Sequence, residues 1–482
     1  MSKTIEKPTG GNNEKKKGFL GFPGVYWVSI FFEFIERGSY YGVMSFFSVY
    51  LIEELGFSKM EVGWIKSTIQ PLLYLLPILT GAIADRKGYR KTLMVAFSLL
   101  GIGYFLTSQS TEYLPVFASL VIMGLGAGTF KPIISGTIAK VTNESNSSAG
   151  FGIFYWSINL GAFLFPMFLV PYLKSISGHY VFMASAIATG LMIIPTLLFY
   201  KEPTDEKIEE APLGEVISDI AKKIAMVFMD WRFMLFIFIY SWFWILYFQM
   251  FDSVLWYVRA FVDATPLNNF INSTFGVNWH FDVEHVTVIN ALTIIILQLF
   301  ITVLVRKTKA LPTMVVGILL ATIGMAILSI DTSIWVFIAG ITIFSIGEMT
   351  AHPKFIAYLG SIAPKDKKAT YMGFGFLYGV LGSGIGGVLG AALYTGFVDN
   401  PMIAFIREKL AEAGSSAILA SEATIEESIK VAASIGISKE EILSHGMTSE
   451  LWLVFSSIGV LCIIGLLAYQ KFIGARSAED VK

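Results

Sequence analysis

Apolar runs of about 20 residues or more follow one another along most of the chain, separated by short polar connections. At a rise of about 1.5 Å per residue, each run is long enough to cross a hydrocarbon core of about 30 Å. Twelve spans are predicted, at about 25–52, 61–83, 91–108, 113–140, 150–173, 179–200, 232–261, 283–305, 311–329, 334–360, 369–397 and 450–473. The connections carry charge unevenly. Arg86, Lys87, Arg90 and Lys91 lie between spans 2 and 3, Arg306, Lys307 and Lys309 between 8 and 9, and Lys365, Lys367 and Lys368 between 10 and 11. Short connections on the other face are nearly free of Lys and Arg, so the positive-inside rule puts both termini in the cytoplasm.

This pattern divides the chain. Residues 1–24 form a polar cytoplasmic tail and 25–200 a first six-helix bundle. A cytoplasmic linker, 201–231, is acidic (Glu202, Asp205, Glu206, Glu209, Glu210) and interrupted by Pro203 and Pro212, so it reads as a surface strap. A second bundle covers 232–473, with an extracellular insertion at about 398–448, and residues 474–482 form a cytoplasmic tail. Within the insertion, Ile403–Ala413 and Ala423–Ile435 carry the pattern of short amphipathic helices. A lid and a mobile decoration are both compatible with that pattern.

Composition agrees. Of 482 residues, 55% are hydrophobic and 15% charged, against about 25% charged in soluble domains. The fold class is all-α integral membrane. Net charge is −1 and the only basic block is Lys15-Lys16-Lys17, which argues against a nucleic-acid partner. The single cysteine, Cys462, excludes an intrachain disulfide and speaks against a thiolate metal site. No Gly-x-x-x-x-Gly-Lys-Ser/Thr motif supports ATP-driven pumping by this chain alone. No nucleophile–base pair or metal-ligand cluster stands out, so no catalytic residue, metal, cofactor or enzymatic activity is expected.

What changes the picture is charge inside the apolar runs. Glu33, Glu36 and Arg37 sit deep in span 1 at i, i+3 and i+4, on one helix face that Tyr40, Tyr41 and Met44 continue. Lys131 in span 4 follows Gly124, Gly126 and Gly128 and precedes Pro132; Glu348 lies near the middle of span 10, with His352 one turn on. Each such charge costs about 2.5–3.5 kcal/mol on insertion scales, so the five acids and bases would cost on the order of 15 kcal/mol unpaired. Pairing around a wet central cavity offsets that cost. One reading is a structural lock, Glu33 with Arg37; the other is a working site. The formal sum over Glu33, Glu36, Glu348, Arg37 and Lys131 is minus one, which leaves one carboxylate able to carry a proton.

The chain resembles known proteins at two levels. Six plus six spans with basic residues after span 2 are similar to the major facilitator architecture, and Gly81-Ala82-Ile83-Ala84-Asp85-Arg86-Lys87-Gly88-Tyr89-Arg90-Lys91 resembles its signature between helices 2 and 3. That resemblance implies a fold of two six-helix bundles around a central cavity, with Gly81, Asp85, Arg86 and Gly88 in a latch for the outward-open state. On the residues alone, Asp85 is suited to capping a neighbouring helix end. More narrowly, Glu33-x-x-Glu36-Arg37-x-x-Tyr40-Tyr41-Gly42 resembles the ExxERFxYYG motif of the proton-dependent oligopeptide transporters (POT/PTR family), with Gly38 where that family has Phe. Lys131-Pro132, Phe151-Gly152-Ile153-Phe154-Tyr155-Trp156-Ser157-Ile158-Asn159-Leu160-Gly161-Ala162, Gly347-Glu348 with Pro353 and Ala363-Pro364, and Met372-Gly373 are similar to its elements in helices 4, 5, 10 and 11.

The resemblance implies proton coupling through Glu33, Glu36, Arg37, Lys131 and Glu348. It implies a substrate pocket of Tyr40, Tyr41, Tyr74, Lys131, Asn159, Trp244, Asn290 and Glu348, in which Asn159, Asn290 and Glu348 hold an ammonium group. Taken alone, Asn159 reads as an interhelical hydrogen bond and Trp244 as a packed or lipid-facing ring. Two departures stand out: the family's helix 1 Arg is Met44 here, and its helix 7 Glu is Phe248. Either Lys66 or Lys131 is then the candidate cation for a substrate carboxylate, with Asp252 taking over gate chemistry, unless Lys66 snorkels to the outer surface. His352 is either a further titrating group or a histidine hydrogen-bonded between helices. The small-residue face of span 11 (Gly379, Gly382, Gly384, Gly386, Gly387, Gly390) is explained by close packing.

The expected function is proton-coupled import of small peptides or peptide-like zwitterions across the plasma (inner) membrane. The gradient is the driving force and the monomer the working unit, with protons and membrane lipid as the other partners. A carrier of the same fold for another solute (an amino acid, a drug-like compound or an organic anion) is the competing reading, supported by Met44 and Phe248. A sensor that binds without transport is the reading from another class, and the short tails speak against it.

Overall fold

A computed structural model describes residues 19–143, 146–203, 213–364, 367–413 and 424–474. Eleven stretches among them are helices long and apolar enough to cross a membrane. A further helix, α1 (Gly24–Met44), has 21 residues but carries Glu33, Glu36 and Arg37. After it come α2 (Lys59–Lys87), α3 (Tyr89–Gln109), α4 (Tyr113–Val141), α5 (Ser147–Leu164) and α6 (His179–Leu191). The second series is α7 (Trp231–Phe248), α8 (Glu284–Val305), α9 (Ala310–Ile327), α10 (Ile334–Ile362), α11 (Leu377–Tyr394) and α12 (Thr448–Tyr469).

Local chemistry sets the ends. Ser58 and Glu61 form a reciprocal capping box that starts α2, and Asp230 accepts from the Phe233 N–H to start α7. Between α2 and α3, Gly88 turns the chain at φ 93°, a conformation open to glycine at little cost. The Asp85 expected to cap a helix instead accepts from Tyr89 Oη and Lys140 Nζ, both at 2.8 Å. The cap of α3 is Glu202, whose carboxylate accepts from the backbone N–H groups of Tyr89 (3.0 Å) and Arg90 (2.9 Å). A two-oxygen acceptor reaches both orphan donors at once, which one Asp85 oxygen does not.

Each series packs as a bundle, α1 against α5 and α6, α3 against α4 and α6, α7 against α11 and α12, and α9 against α10 and α12. The bundles meet along α2 with α11 and α5 with α8. Glycines set the first contact: Gly63 and Gly387 bring the α2 and α11 backbones together, and Ser67 Oγ accepts from the Val388 N–H at 3.0 Å. This is the close packing expected of the span 11 glycines.

Two faces result, since α2 runs from Lys59 on one to Arg86 and Lys87 on the other, the basic face. Residues 204–212 of the linker lie outside the described residues. The rest of the linker, Leu213–Met229, is a helix that touches both α2 and the Lys368–Phe374 segment, and so straps the two bundles on the basic face. On the far face the insertion forms helices at Asn400–Glu412, Ile425–Ala433 and Lys439–Leu443, with Met402, Ile406, Leu410, Ile425 and Ile442 buried. Its apolar stripes are packed ones.

α9 and α10 pack closely, and a Cβ on Gly347 would fall onto the backbone nitrogen of Ala321 and the Gly317 carbonyl. Gly347→Ala should cost about 1–3 kcal/mol and lower the thermal unfolding midpoint in detergent. Gly152→Ala, with open space around it, should leave that midpoint unchanged.

Candidate functional site

Three of the predicted charges cluster on α1. Glu33, Glu36 and Arg37 are all buried, and Arg37 grips Glu36 through two bonds, Nη2 to Oε1 at 2.7 Å and Nε to Oε2. Glu33 Oε1 is 3.8 Å from Arg37 Nε, and its Oε2 is buried with no hydrogen-bond partner among the described residues. The Arg37 guanidinium also stands over the Tyr40 ring at 4.9 Å. Lys131, from α4, lies within Coulombic reach of all three. Yet its Nζ sits over the Tyr74 ring at 5.0 Å, and among the described residues no carboxylate is within ion-pairing distance. Arg37 is thus shared unequally, gripped by Glu36 and held more loosely by Glu33, while Lys131 nearby has no described carboxylate within ion-pairing distance.

Gly38 explains part of this geometry. A Cβ there would lie 2.5 Å from the Phe165 ring, so a ring from the end of α5 fills the space that the family's Phe would need. The two helices touch through Gly161, which faces the Phe34 carbonyl and Gly38.

A central cavity lies between the bundles. Tyr41, Tyr155 and Asn159 line it from the first, and Tyr247, Asn290 and Glu348 from the second. Asn290 Nδ2 donates to Glu348 Oε2 at 3.0 Å and to Ser345 Oγ at 2.9 Å, which orients the carboxylate across the cavity. Asn159 Nδ2 donates within its own helix, to the Tyr155 carbonyl at 2.9 Å, so its side-chain oxygen can accept. The interhelical bond weighed for it is not the one it makes.

The remaining candidates stand apart from this cavity. Trp244 is buried among Tyr247, Phe248, His352 and Tyr378. His352 Nδ1 meets Tyr240 Oη at 3.2 Å, the interhelical bond that its spacing allowed. Tyr74 packs on Gly379. Met44 and Phe248, at the positions of the family's missing pair, are both buried. Gly81, Asp85, Arg86 and Gly88 lie at the basic face, where the described Asp85 partners belong to its own bundle.

The sequence reading missed Tyr155, Tyr247 and Thr287 as cavity residues. Each had a signal: Tyr155 falls inside the span 5 motif, and Tyr247 and Thr287 lie three residues from Trp244 and Asn290.

Lys66 does not snorkel. It is 2% exposed, its Nζ 2.9 Å from Asp252 Oδ1 and 3.1 Å from the Phe251 carbonyl. That carbonyl is free because the helix beyond α7 tightens over Gln249–Phe251 and breaks at Asp252 (φ −135°, ψ −93°); Ser48 Oγ donates to it as well, at 2.8 Å. A freed acceptor and an acid in the broken helix hold the ammonium, so burial outcompetes the outer surface.

Other cross-bundle pairs surround this one. Lys174 Nζ meets Glu284 Oε2 (2.6 Å) and Asp282 Oδ2 (2.7 Å), Arg259 Nε meets Glu53 Oε1 (2.7 Å), and Lys59 Nζ meets Asp399 Oδ2 (3.0 Å). All lie towards the far face. On the basic face no ion pair between the bundles occurs among the described residues. The bundles are thus tied together by ion pairs on the far side.

Fold and site together define a membrane protein of two helical bundles that enclose ionisable groups and are tied shut on one face by ionic contacts. A family model described as Major Facilitator Superfamily matches residues 27–387, and the chain belongs to that superfamily. It is similar to a solved POT family transporter in complex with 5-aminolevulinic acid, with a TM-score of 0.71 and 21% identity over 94% of this chain and 97% of that one. It is also similar to the nucleoside transporter NupG, with a TM-score of 0.67 and 13% identity over 92% and 99%. Such likenesses show a shared fold. In sequence it is 30% identical over 195 residues to the uncharacterized transporter YclF of Bacillus subtilis, covering 39% of this chain and 40% of that protein. It is 26% identical over 227 residues to dipeptide and tripeptide permease B of Edwardsiella piscicida, covering 45% and 46%. The matched part thus spans less than half the length of these curated relatives.

Removing one partner of the Lys66–Asp252 pair strands a buried charge, at a cost of about 3–5 kcal/mol. Lys66→Met should therefore lower the thermal unfolding midpoint, and Lys66→Met combined with Asp252→Leu should restore most of the loss. A double variant no more stable than the single one would contradict this.

Proposed function

We propose that the protein is a proton-coupled symporter that imports small peptides or peptide-like zwitterions across the plasma (inner) membrane by alternating access, with both termini in the cytoplasm. The observation that carries this is the loosely held Glu33 with Lys131 nearby in the first bundle, together with a cavity between the bundles lined by Glu348 and Asn290. A zwitterion needs an anionic and a cationic pole held apart, and these groups supply them. Glu348, with the side-chain oxygens of Asn159 and Asn290, receives the ammonium group. Lys131, free of any described carboxylate, receives the carboxylate, since Lys66 is held by Asp252. The names of the peptide permeases among the relatives, and the helix 1, 4, 5 and 10 motifs, support the substrate class.

Coupling comes from charge balance. With Glu33 protonated, Lys131 has no partner in α1 and is available to substrate. Once Glu33 loses its proton towards the cytoplasm, it draws Lys131 back and the substrate carboxylate loses its hold. On the far side, the Lys66–Asp252 node and its neighbours part to admit solute and re-form to close behind it. The signature around Gly81, Asp85, Arg86 and Gly88 then serves as the opposite latch, engaged when the far face opens. No cofactor enters this scheme; the proton gradient drives it and a monomer suffices.

In proteoliposomes with an imposed inward proton gradient, the wild type should accumulate dialanine above equilibrium. Glu33→Gln and Lys131→Ala should each abolish accumulation while leaving exchange of labelled for unlabelled dialanine. Full accumulation by both variants would refute the coupling, and no dialanine uptake by the wild type would refute the substrate class.

A further inference from the structure

Outside the central cavity, the far ends of the helices carry another buried charge in an organised setting. Lys59, the first residue of α2, belongs to the first bundle. Its Nζ lies 3.0 Å from Asp399 Oδ2 and faces the rings of Tyr394 at 5.2 Å and Trp256 at 5.9 Å. Those rings meet edge to face, centroids 5.3 Å apart. These receptors belong to the second bundle, and Lys59, Tyr394 and Asp399 each make further contacts as well. Two aromatic faces and a carboxylate around one alkylammonium form the arrangement that recognises amine ligands. Beside it lies a cavity of about 400 Å³, walled by Val49 and Ile52 from the first bundle and by Met402 and Ile429 from the outer helices, and lined as well by Glu53, Arg259 and Lys439. That volume falls in the range of small-molecule sites, about 300–1,000 Å³.

Because the ammonium comes from one bundle and its receptors from the other, parting of the bundles on the far face withdraws Lys59. The cage and its acid then face the incoming solution. We propose that Trp256, Tyr394 and Asp399 form an outer binding site for the primary ammonium group of the arriving solute, filled in the closed state by Lys59 as a tethered stand-in. This rests on the reading of the protein as an alternating-access carrier of an amine-bearing solute. The apolar wall takes the solute's side chain. A tethered ammonium competes at an effective concentration on the order of millimolar, so a free amine holds the site only while the bundles are apart. The solute must pass inward before Lys59 can return and the mouth close.

The test uses the full chain in nanodiscs. Lys59→Met takes the tethered ammonium out of the cage, and titration with propylammonium should quench tryptophan fluorescence saturably, with an apparent affinity at least about tenfold above that of the wild type. The quench should vanish in Lys59→Met/Trp256→Phe and Lys59→Met/Asp399→Asn, and propanol should not produce it. Equal responses from wild type and Lys59→Met, or binding that survives Asp399→Asn, would overturn the site. Uptake kinetics give a second readout: Lys59→Met should lower the KM for dialanine and Asp399→Asn should raise it. A merely structural ion pair would move both the same way, which would also overturn the proposal. If Lys59→Met does not fold, Asp399→Asn alone decides, an unchanged KM counting against the site. Absence of dialanine uptake by the wild type counts against the transport reading, and the propylammonium titration still tests the cage.

Discussion

Charge inside a hydrocarbon slab must be paired, hydrated or neutralised, and the architecture of this protein answers that constraint. Within α1 the answer is local: Arg37 clasps its neighbour Glu36, and the pair is neutral where it stands. Glu33 is held only loosely by Arg37, with its other carboxylate oxygen lacking any described partner, and Lys131 rests on the Tyr74 ring. A protein selected only for stability would join them or replace them with apolar side chains, since buried pairs seldom outperform good packing. Keeping them close and apart stores a choice between two arrangements, which a proton or an anionic group can decide.

The same constraint operates at the bundle interface. Every cross-bundle ion pair described lies towards the far face, and the most buried of them, Lys66 with Asp252, is built into a break in the α7 continuation. Desolvation offsets much of the attraction in such a pair, and the more exposed Arg259–Glu53 pair contributes only about 0.2–1 kcal/mol. Contacts of this kind fix register firmly while adding little net stability. They would suit a surface that separates and re-forms, as the proposed cycle requires, and the glycine-lined meeting of α2 with α11 lacks large interlocking side chains.

Much of this was legible in the sequence because the membrane simplifies the reading. Apolar runs marked the helices, and the spacing of Glu33, Glu36 and Arg37 put them on one face of α1; Glu348 and Asn290, the latter named only by the resemblance, both line the cavity. What escaped depended on tertiary partners. Glu202 read as one acid of a polar linker, and only folding brings it to the start of α3. Lys66 lies near a helix end, where the reach of its side chain favours the surface. The helix break that frees the Phe251 carbonyl has no proline or glycine to announce it. The cage around Lys59 joins residues almost two hundred and more positions apart, beyond any local pattern. The reason for Gly38, a Phe165 ring filling the space beside it, likewise lies in a distant part of the chain.

In the proposed cycle the far mouth opens and shuts in step with the protonation and loading of the buried acid–base set. Spin labels at Thr111→Cys and Thr332→Cys, on far-side connections of the two bundles in a Cys462→Ser background, report that mouth through pulsed dipolar distances. Adding dialanine at low pH should bring in a population at longer distance that is absent at high pH without solute. A distance distribution indifferent to both, in protein that still takes up dialanine, would contradict the account.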